Sequence, residues 1–282
     1  MFEHYHIEKM NQEEVTLAVA WAAKEGWNPG LHDAACFYQV DPRGFFVGKL
    51  KGQMIAVGSA VIYDEHFAFC GFYIVAKPYR DQGYGLELTR ARLDYIGKRN
   101  AGIDGVLPML DKYARLGYQF AHNNIRYSLE KKIDPIPYNP SLVLLGQIDF
   151  SLLCDYDRLH FPALRPKFLK CWIQQKQSMA LGFVQEKQLK GYGVIRACQQ
   201  GYKMGPLFAD TPEIANTLFF QLTQYAQGKV IFLDIPENNS FALDLVKHYQ
   251  MTKVFATARM YLKGEPQLIK EHIFGITSFE LG

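Results

Sequence analysis

The chain has 282 residues, a length suited to two α/β domains rather than one small one. Its net charge of +3 is too mild to argue for nucleic acid as a partner. No stretch approaches the ~18 consecutive apolar residues of a membrane span, and the first residues lack the basic-then-apolar layout of a signal peptide.

Hydrophobic residues make up 49% and aromatics 14%, which suits a sizeable core and an apolar ligand cleft. The five cysteines, Cys36, Cys70, Cys154, Cys171 and Cys198, contain no Cys-x-x-Cys pair and are odd in number. Neither a disulfide framework nor a zinc site is therefore expected, and a reducing, cytoplasmic setting is. His4 and His6 share one strand face without further ligand candidates nearby, so no metal is assigned.

Residues 5–7 open as a strand. Asn11 caps a helix to about Lys24, with Val15, Ala18, Val19 and Ala22 on one face. A breaker cluster, Glu25-Gly26-Trp27-Asn28-Pro29-Gly30, separates it from a second helix over 31–40. Asp41-Pro42-Arg43-Gly44 is a turn, and 45–50 and 54–63 form a hairpin around Lys51-Gly52-Gln53. A central strand follows from Phe67, rich in aromatic residues. It runs into a glycine turn and a helix carrying Leu86, Leu88, Leu93 and Ile96. Residues 103–107 read as a strand, 111–116 as a short helix, and 118–129 as the strand that closes the sheet.

The glycine turn holds the chemistry. Such a turn, from strand into helix, leaves backbone N–H groups free at the helix start, where the dipole also favours an anion. A dinucleotide fingerprint needs a glycine where Leu88 stands, and the chain has no Gly-Lys-Ser/Thr triplet. What remains is Arg80-Asp81-Gln82-Gly83-Tyr84-Gly85, preceded by Tyr73-Ile74-Val75. Taken alone, these residues read equally as a phosphate turn or as a turn after an edge strand.

This stretch resembles the acyl-coenzyme A signature of the GNAT superfamily of N-acetyltransferases. The resemblance implies that Tyr73, Ile74 and Val75 hold the pantetheine of acetyl-CoA. It also implies that Arg80, Asp81, Gln82, Gly83, Tyr84 and Gly85 wrap its pyrophosphate. One departure is Asp81, where the family usually has glycine. A second resemblance is Tyr113-x-x-x-Gly117-Tyr118, on the helix after the fifth strand. It implies that Tyr113 faces the coenzyme sulfur and protonates the leaving thiolate; the residues alone also read as a helix tyrosine and a glycine cap.

Residues 131–140 hold three prolines and read as a linker. Residues 141–282 repeat the order of the first half. Strands fall at 142–148, 179–184, 191–198 and 202–208, with helical patches between 150 and 177. Thr211-Pro212 starts a helix, and 229–235, 240–249 and 251–262 are strand, helix and strand. The turn Leu207-Phe208-Ala209-Asp210-Thr211-Pro212-Glu213 has no glycine and two carboxylates, so it should not hold a pyrophosphate. The fold expected is α/β (α+β): two tandem GNAT-like domains, 1–130 and 141–282, each a mixed, mainly antiparallel sheet flanked by helices. Stretches around Glu25–Gly30, Gly201–Leu207 and the terminal Ser278-Phe279-Glu280-Leu281-Gly282 resemble a tandem group of the superfamily.

The implied reaction is acetyl-CoA-dependent transfer to a small amine, with no nucleic acid and no membrane involved. The competing reading is a catalytically silent, coenzyme-binding regulatory or scaffold protein. An alkyl ammonium has a pKa of ~10.4, so a base is expected. Many family members use a glutamate on the fourth strand, and none stands here. His32, Asp33, Asp157 and His160 are the candidates in its place. Trp27 and Asn28 should wall the acceptor cleft against the second half, with Asp33, Asp157 and Arg158 recognising a polar or cationic acceptor.

Overall fold

The computed structural model describes residues 4–134 and 137–282. Met1, Phe2 and Glu3 at the start of the chain, and Pro135 and Ile136 of the expected linker, lie outside the described residues.

The first half begins with β1 (Tyr5–Lys9), α1 (Gln12–Lys24) and α2 (Asp33–Val40). Helix α1 starts as its sequence requires. Asn11 Oδ1 accepts from the Glu14 N–H and Glu14 answers on the Asn11 N–H, which satisfies two donors at the helix end. Its buried face is Val15, Ala18, Val19 and Ala22. Next come β2 (Phe45–Leu50) and β3 (Gln53–Ser59), joined at Lys51 and Gly52 with positive φ.

Two strands read from the sequence as continuous are each divided between sheets. The first breaks at Ala60 into β3 and β4 (Val61–Ile62). The second breaks at 70–73 into β5 (Phe67–Phe69) and β6 (Ile74–Val75). The breaks face each other. Ser59 N–H donates to Gly71 O and Gly71 N–H to Ser59 O, and Phe72 takes φ 49°, an unfavourable value for an aromatic residue. Strands β1-β2-β3-β6 make one sheet, while β4 and β5 begin another. Hydrophobic alternation cannot register such a kink, because side chains on both sides of it remain buried.

After α3 (Tyr84–Ile96) come β7 (Asn100–Val106), α4 (Leu110–Arg115) and β8 (Gln119–Leu129). The second half is β9 (Leu142–Leu144), α5 (Phe150–Arg158), α6 (Pro166–Trp172), β10 (Ser178–Gln185), β11 (Gln188–Ala197) and β12 (Tyr202–Ala209). It continues through α7 (Pro212–Tyr225), β13 (Ile231–Pro236), α8 (Ser240–His248), β14 (Thr252–Tyr261) and β15 (Ile273–Gly275). Thr211 caps α7 and Pro212 occupies its first turn.

The halves exchange their closing strands. The large sheet runs β4-β5-β7-β14-β8-β13-β12-β11-β10-β9. Strand β8 does not close the first half onto β7. It lies between β14 and β13, while β14 crosses over to pair with β7. The two halves therefore share one sheet, and one core cluster joins Phe37, Phe45 and Phe72 to Phe168, Trp172 and Tyr192.

Cys36 on α2 and Cys171 on α6 form a disulfide with Cα atoms 5.3 Å apart, which corrects the expectation of none. Cysteine spacing along the chain gave no sign of it, because the pair is brought together only when α2 docks on α6 across the two halves. Cys70, Cys154 and Cys198 are free. No helix among the described residues is long and apolar enough to cross a membrane, and no group of residues there has the makings of a metal site.

Candidate active site

The break in the fourth strand creates a cleft. Strands β5 and β7 pair in parallel from Phe67↔Asn100 to Phe69↔Gly102, and Cys70 N–H still bonds Gly102 O. Beyond that the strands part. Strand β6 leaves with β3, through Ala56↔Val75 and Val57↔Ile74. It ends its sheet, so the edge facing β7 offers main-chain donors and acceptors to an extended, amide-bearing ligand. Ile74 itself is buried in the core, while Tyr73 and Val75 are half-buried.

The glycine turn stands at the end of this edge. Gly83, at φ 89°, forms the N-terminal boundary of α3, and no side chain caps the helix there. That leaves the first amides and the positive dipole end open to an anion, as a pyrophosphate needs. Asp81 takes φ 59°, the left-handed conformation that glycine would supply more cheaply. Its carboxylate is 88% exposed with Lys112 Nζ 3.7 Å away, so it points out of the turn. Arg80 bonds the Val75 carbonyl at 2.7 Å and Glu25 at 2.7 Å, tying the turn to the end of α1. Gln82 folds back onto the Pro78 carbonyl. Tyr84 packs edge-on against Tyr5 and Tyr79. Gly85 leaves room for a neighbour: the Tyr73 hydroxyl occupies the space of its missing Cβ.

Tyr113 lies across the cleft on α4. Its ring covers Gly105 of β7, which has no side chain to hold it away. Burial pushes the phenol above its usual 10.0, with nearby Arg92 opposing. A phenol so placed carries its proton at neutral pH. Below it, Arg92 of α3 is buried and spans the kink, donating to Ser59 O at 2.7 Å and Gly71 O at 3.3 Å.

The second half has the same parting of fourth and fifth strands, but it is filled. Strands β12 and β13 pair only over Tyr202↔Ile231 to Met204↔Leu233. Strand β15 then lies against β12 at Leu207↔Gly275 and Phe208↔Ile273, and Ile276 N–H bonds Asp234 O. The chain's own backbone occupies the place that a coenzyme would take.

The expected acceptor residues are dispersed. Asp33 has no exposure. It holds Arg196 at 2.8 and 3.2 Å and accepts from the Gly30 N–H. Asp157 is likewise buried and grips Arg165 at 2.7 and 2.8 Å, while Tyr192 donates to it. Neither presents a free carboxylate to an open cleft. Arg158 is exposed and bonds Phe161 O, with no link to Asp157. Asn28 is buried at φ 50° and clamps Gln200 through its N–H and carbonyl. The Trp27 ring is half-buried on the shared core, and its carbonyl accepts from Arg126 at 2.7 Å. His32 meets Gln177 at the surface, and burial lowers the His160 pKa to about 4.

A groove of about 620 Å³ lies beside Asn28, between the two halves. Gly26 and Asn28 line one side, Gln200, Val230 and Phe232 of the second half another, and Arg126 lies on its wall. Sequence reasoning missed the charged cluster behind it: Arg126 bonded to Asp234, with Lys203 and Glu280. One signal was available. Glu280 is the sole charged residue between Phe274 and Gly282.

Known proteins resemble this chain over most of its length. The profile described as "Acetyltransferase (GNAT) family" matches residues 8–118, and that described as "Acetyltransferase (GNAT) domain" matches 153–275. Holothin acyltransferase of Pseudoalteromonas sp. (strain SANK 73390) is 29% identical over 272 residues, 96% of this chain and 92% of its own. The crystal structure of a putative acetyltransferase from Pyrococcus horikoshii superposes with a TM-score of 0.85 at 21% identity, covering 100% and 97% of the two chains. A tandem GNAT protein from the clavulanic acid biosynthesis pathway gives a TM-score of 0.64 at 12% identity, covering 93% and 99%. The chain belongs to the GNAT family of N-acyltransferases and carries two GNAT domains in tandem.

Proposed function

We propose that the first domain, residues 1–130, binds acetyl-CoA and transfers its acetyl group to a small amine, and that the second, 141–282, binds no coenzyme. The observation that carries this reading is the contrast between the two clefts. In the first, the strands part beside an uncapped helix end, and Tyr113 stands across the gap. In the second, β15 lies between the parted strands and the glycines are missing. In this reading Tyr73, Ile74 and Val75 bind the pantetheine amides through the open edge of β6. Residues 80–85 hold the pyrophosphate, and Asp81 does not oppose it because it faces solvent. The coenzyme supplies an activated thioester. Tyr113 gives its proton to the departing sulfur.

The acceptor enters through the groove beside Trp27 and Asn28. The similarity to Holothin acyltransferase supports acyl transfer as the class of reaction. Calorimetric titration of acetyl-CoA into wild type and Gly83→Trp tests the site. Binding lost in the variant fits the turn as the pyrophosphate site, and equal binding by both refutes it. Tyr113→Phe should lower kcat by ~10²-fold or more while acetyl-CoA affinity survives.

A further inference from the structure

A second space lies between the halves, apart from the groove at Asn28. It is a narrow cavity with about 40 Å³ of interior, room for about three waters. Strands β8 and β14 supply one wall through His122 and Tyr261, and the second half supplies the other through His160, Phe161, Phe208 and Ile276. Leu268, on the loop after β14, also lines it and is half-buried, so it stands at the mouth. At the inner side Tyr261 rests on Gly102 and Gly282 on Phe69, the last pair before β5 and β7 part. The cavity therefore backs onto the first domain's cleft.

The polar atom left open here is His160 Nε2. His160 is 3% exposed, and its Nδ1 lies 2.9 Å from the Tyr156 carbonyl. A carbonyl only accepts, so the proton sits on Nδ1 and Nε2 carries a lone pair. With Nδ1 turned to the backbone of α5, the opposite edge of the ring is the one left to the cavity. Nε2 has no hydrogen-bond partner among the described residues. The ring stacks on Phe208 with centroids 4.9 Å apart, which fixes its plane. A buried acceptor without a partner is costly, so a group that donates belongs there.

The lining offers such a group no net charge. Arg259 is bonded to Asp104 at 2.7 Å, and Lys270 to Glu265 at 2.5 Å. Burial lowers the pKa of His122 and of His160 to about 4, so both rings are neutral at neutral pH. Most of the remaining lining is aromatic or aliphatic.

We propose that this cavity binds a small neutral molecule that donates an O–H or N–H to His160 Nε2 and rests its apolar body on the aromatic wall. Phenols, azoles and alcohols have this pattern. Carboxylates and ammonium ions do not, because each would bring an unpaired charge out of water. The enclosed part is small, so a larger molecule enters donor end first and leaves its remainder at the mouth beside Leu268. The site is separate from the coenzyme turn and from the groove, and it does not depend on the acetyl-transfer reading.

The test titrates the full chain, labelled with nitrogen-15 in its histidine rings, with phenol, anisole and benzoate in turn. Phenol carries the donor, anisole has it methylated, and benzoate carries a charge. Phenol should bind saturably with a Kd of ~1 mM or tighter and move the Nε2 resonance that is absent from His160→Phe. Anisole and benzoate should bind ~5-fold more weakly or worse, and His160→Phe should weaken phenol by a similar factor. Leu268→Trp, a second variant should the first not fold, fills the mouth and should also weaken phenol. Equal binding of phenol and anisole overturns the proposal, as does phenol binding that both variants leave unchanged, which would seat the molecule elsewhere. A folded wild type with no saturation by ~10 mM phenol overturns it too, leaving a cavity that holds waters only.

Discussion

Asp33→Asn separates a structural carboxylate from a substrate-binding one. In the folded protein Asp33 and Arg196 have no exposure and share two hydrogen bonds, at 2.8 and 3.2 Å. The guanidinium cannot discharge at any working pH. Without its partner it keeps the Gly205 carbonyl, at 3.4 Å, and the face of Trp172, 4.2 Å from the ring centroid. Removing one member of such a pair costs about 3–5 kcal/mol. At about 2–4 °C per kcal/mol for a chain near this size, the melting temperature should fall by roughly 6–20 °C. The substituted amide still offers an oxygen to the Gly30 N–H, so the loop entering α2 is preserved. Because the carboxylate faces no solvent, kcat measured well below the melting transition should stay near wild type. The double change Asp33→Ala with Arg196→Met removes both charges and should melt above the single variant. The assay is circular dichroism melting paired with thiol-release kinetics. A single variant that melts within about 2 °C of wild type but loses ~10²-fold in kcat would refute the reasoning, placing Asp33 at the acceptor.

Acid should destabilise the fold through its buried histidines. Burial holds His122 and His160 neutral down to about pH 4, whereas an unfolded imidazole protonates near 6.5. Between those values the unfolded chain binds more protons, so stability is full above 6.5 and falls as pH drops toward 4. His160→Phe, which can keep the stack on Phe208, should flatten that slope in melts recorded across the window; an unchanged slope counts against His160. Thiol titration in denaturant should give three free thiols before reduction and five after, and five from the start would rule out the Cys36–Cys171 bond. A fragment of residues 1–130 keeps β5 on one edge of β7 but lacks β14 on the other, and exposes both edges of β8. It should elute as an aggregate or an exchanged oligomer, and a monomer with cooperative unfolding would refute that expectation.

Much of the architecture was readable because it is local. Asn11 and Glu14 capping α1, Thr211 and Pro212 starting α7, and the Lys51-Gly52 hairpin turn depend on neighbours within a few residues. The strand–turn–helix holding Arg80, Gly83 and Gly85 is equally local, so the candidate coenzyme turn could be read before any fold was known. Strand partners could not. Residues 119–129 and 252–261 carry similar alternation, and nothing in either says which half's sheet it joins; only the packed core decides the exchange. The same holds for buried charge. Asp33 and Asp157 look in sequence like polar residues free to meet a substrate. Their partners Arg196 and Arg165 identify them as structural only once the chain has brought each pair out of water. Glu280 is the converse case. In sequence it is one carboxylate in an apolar tail, and only the docking of that tail, whose Glu280 backbone carbonyl meets Gly71, takes it out of water.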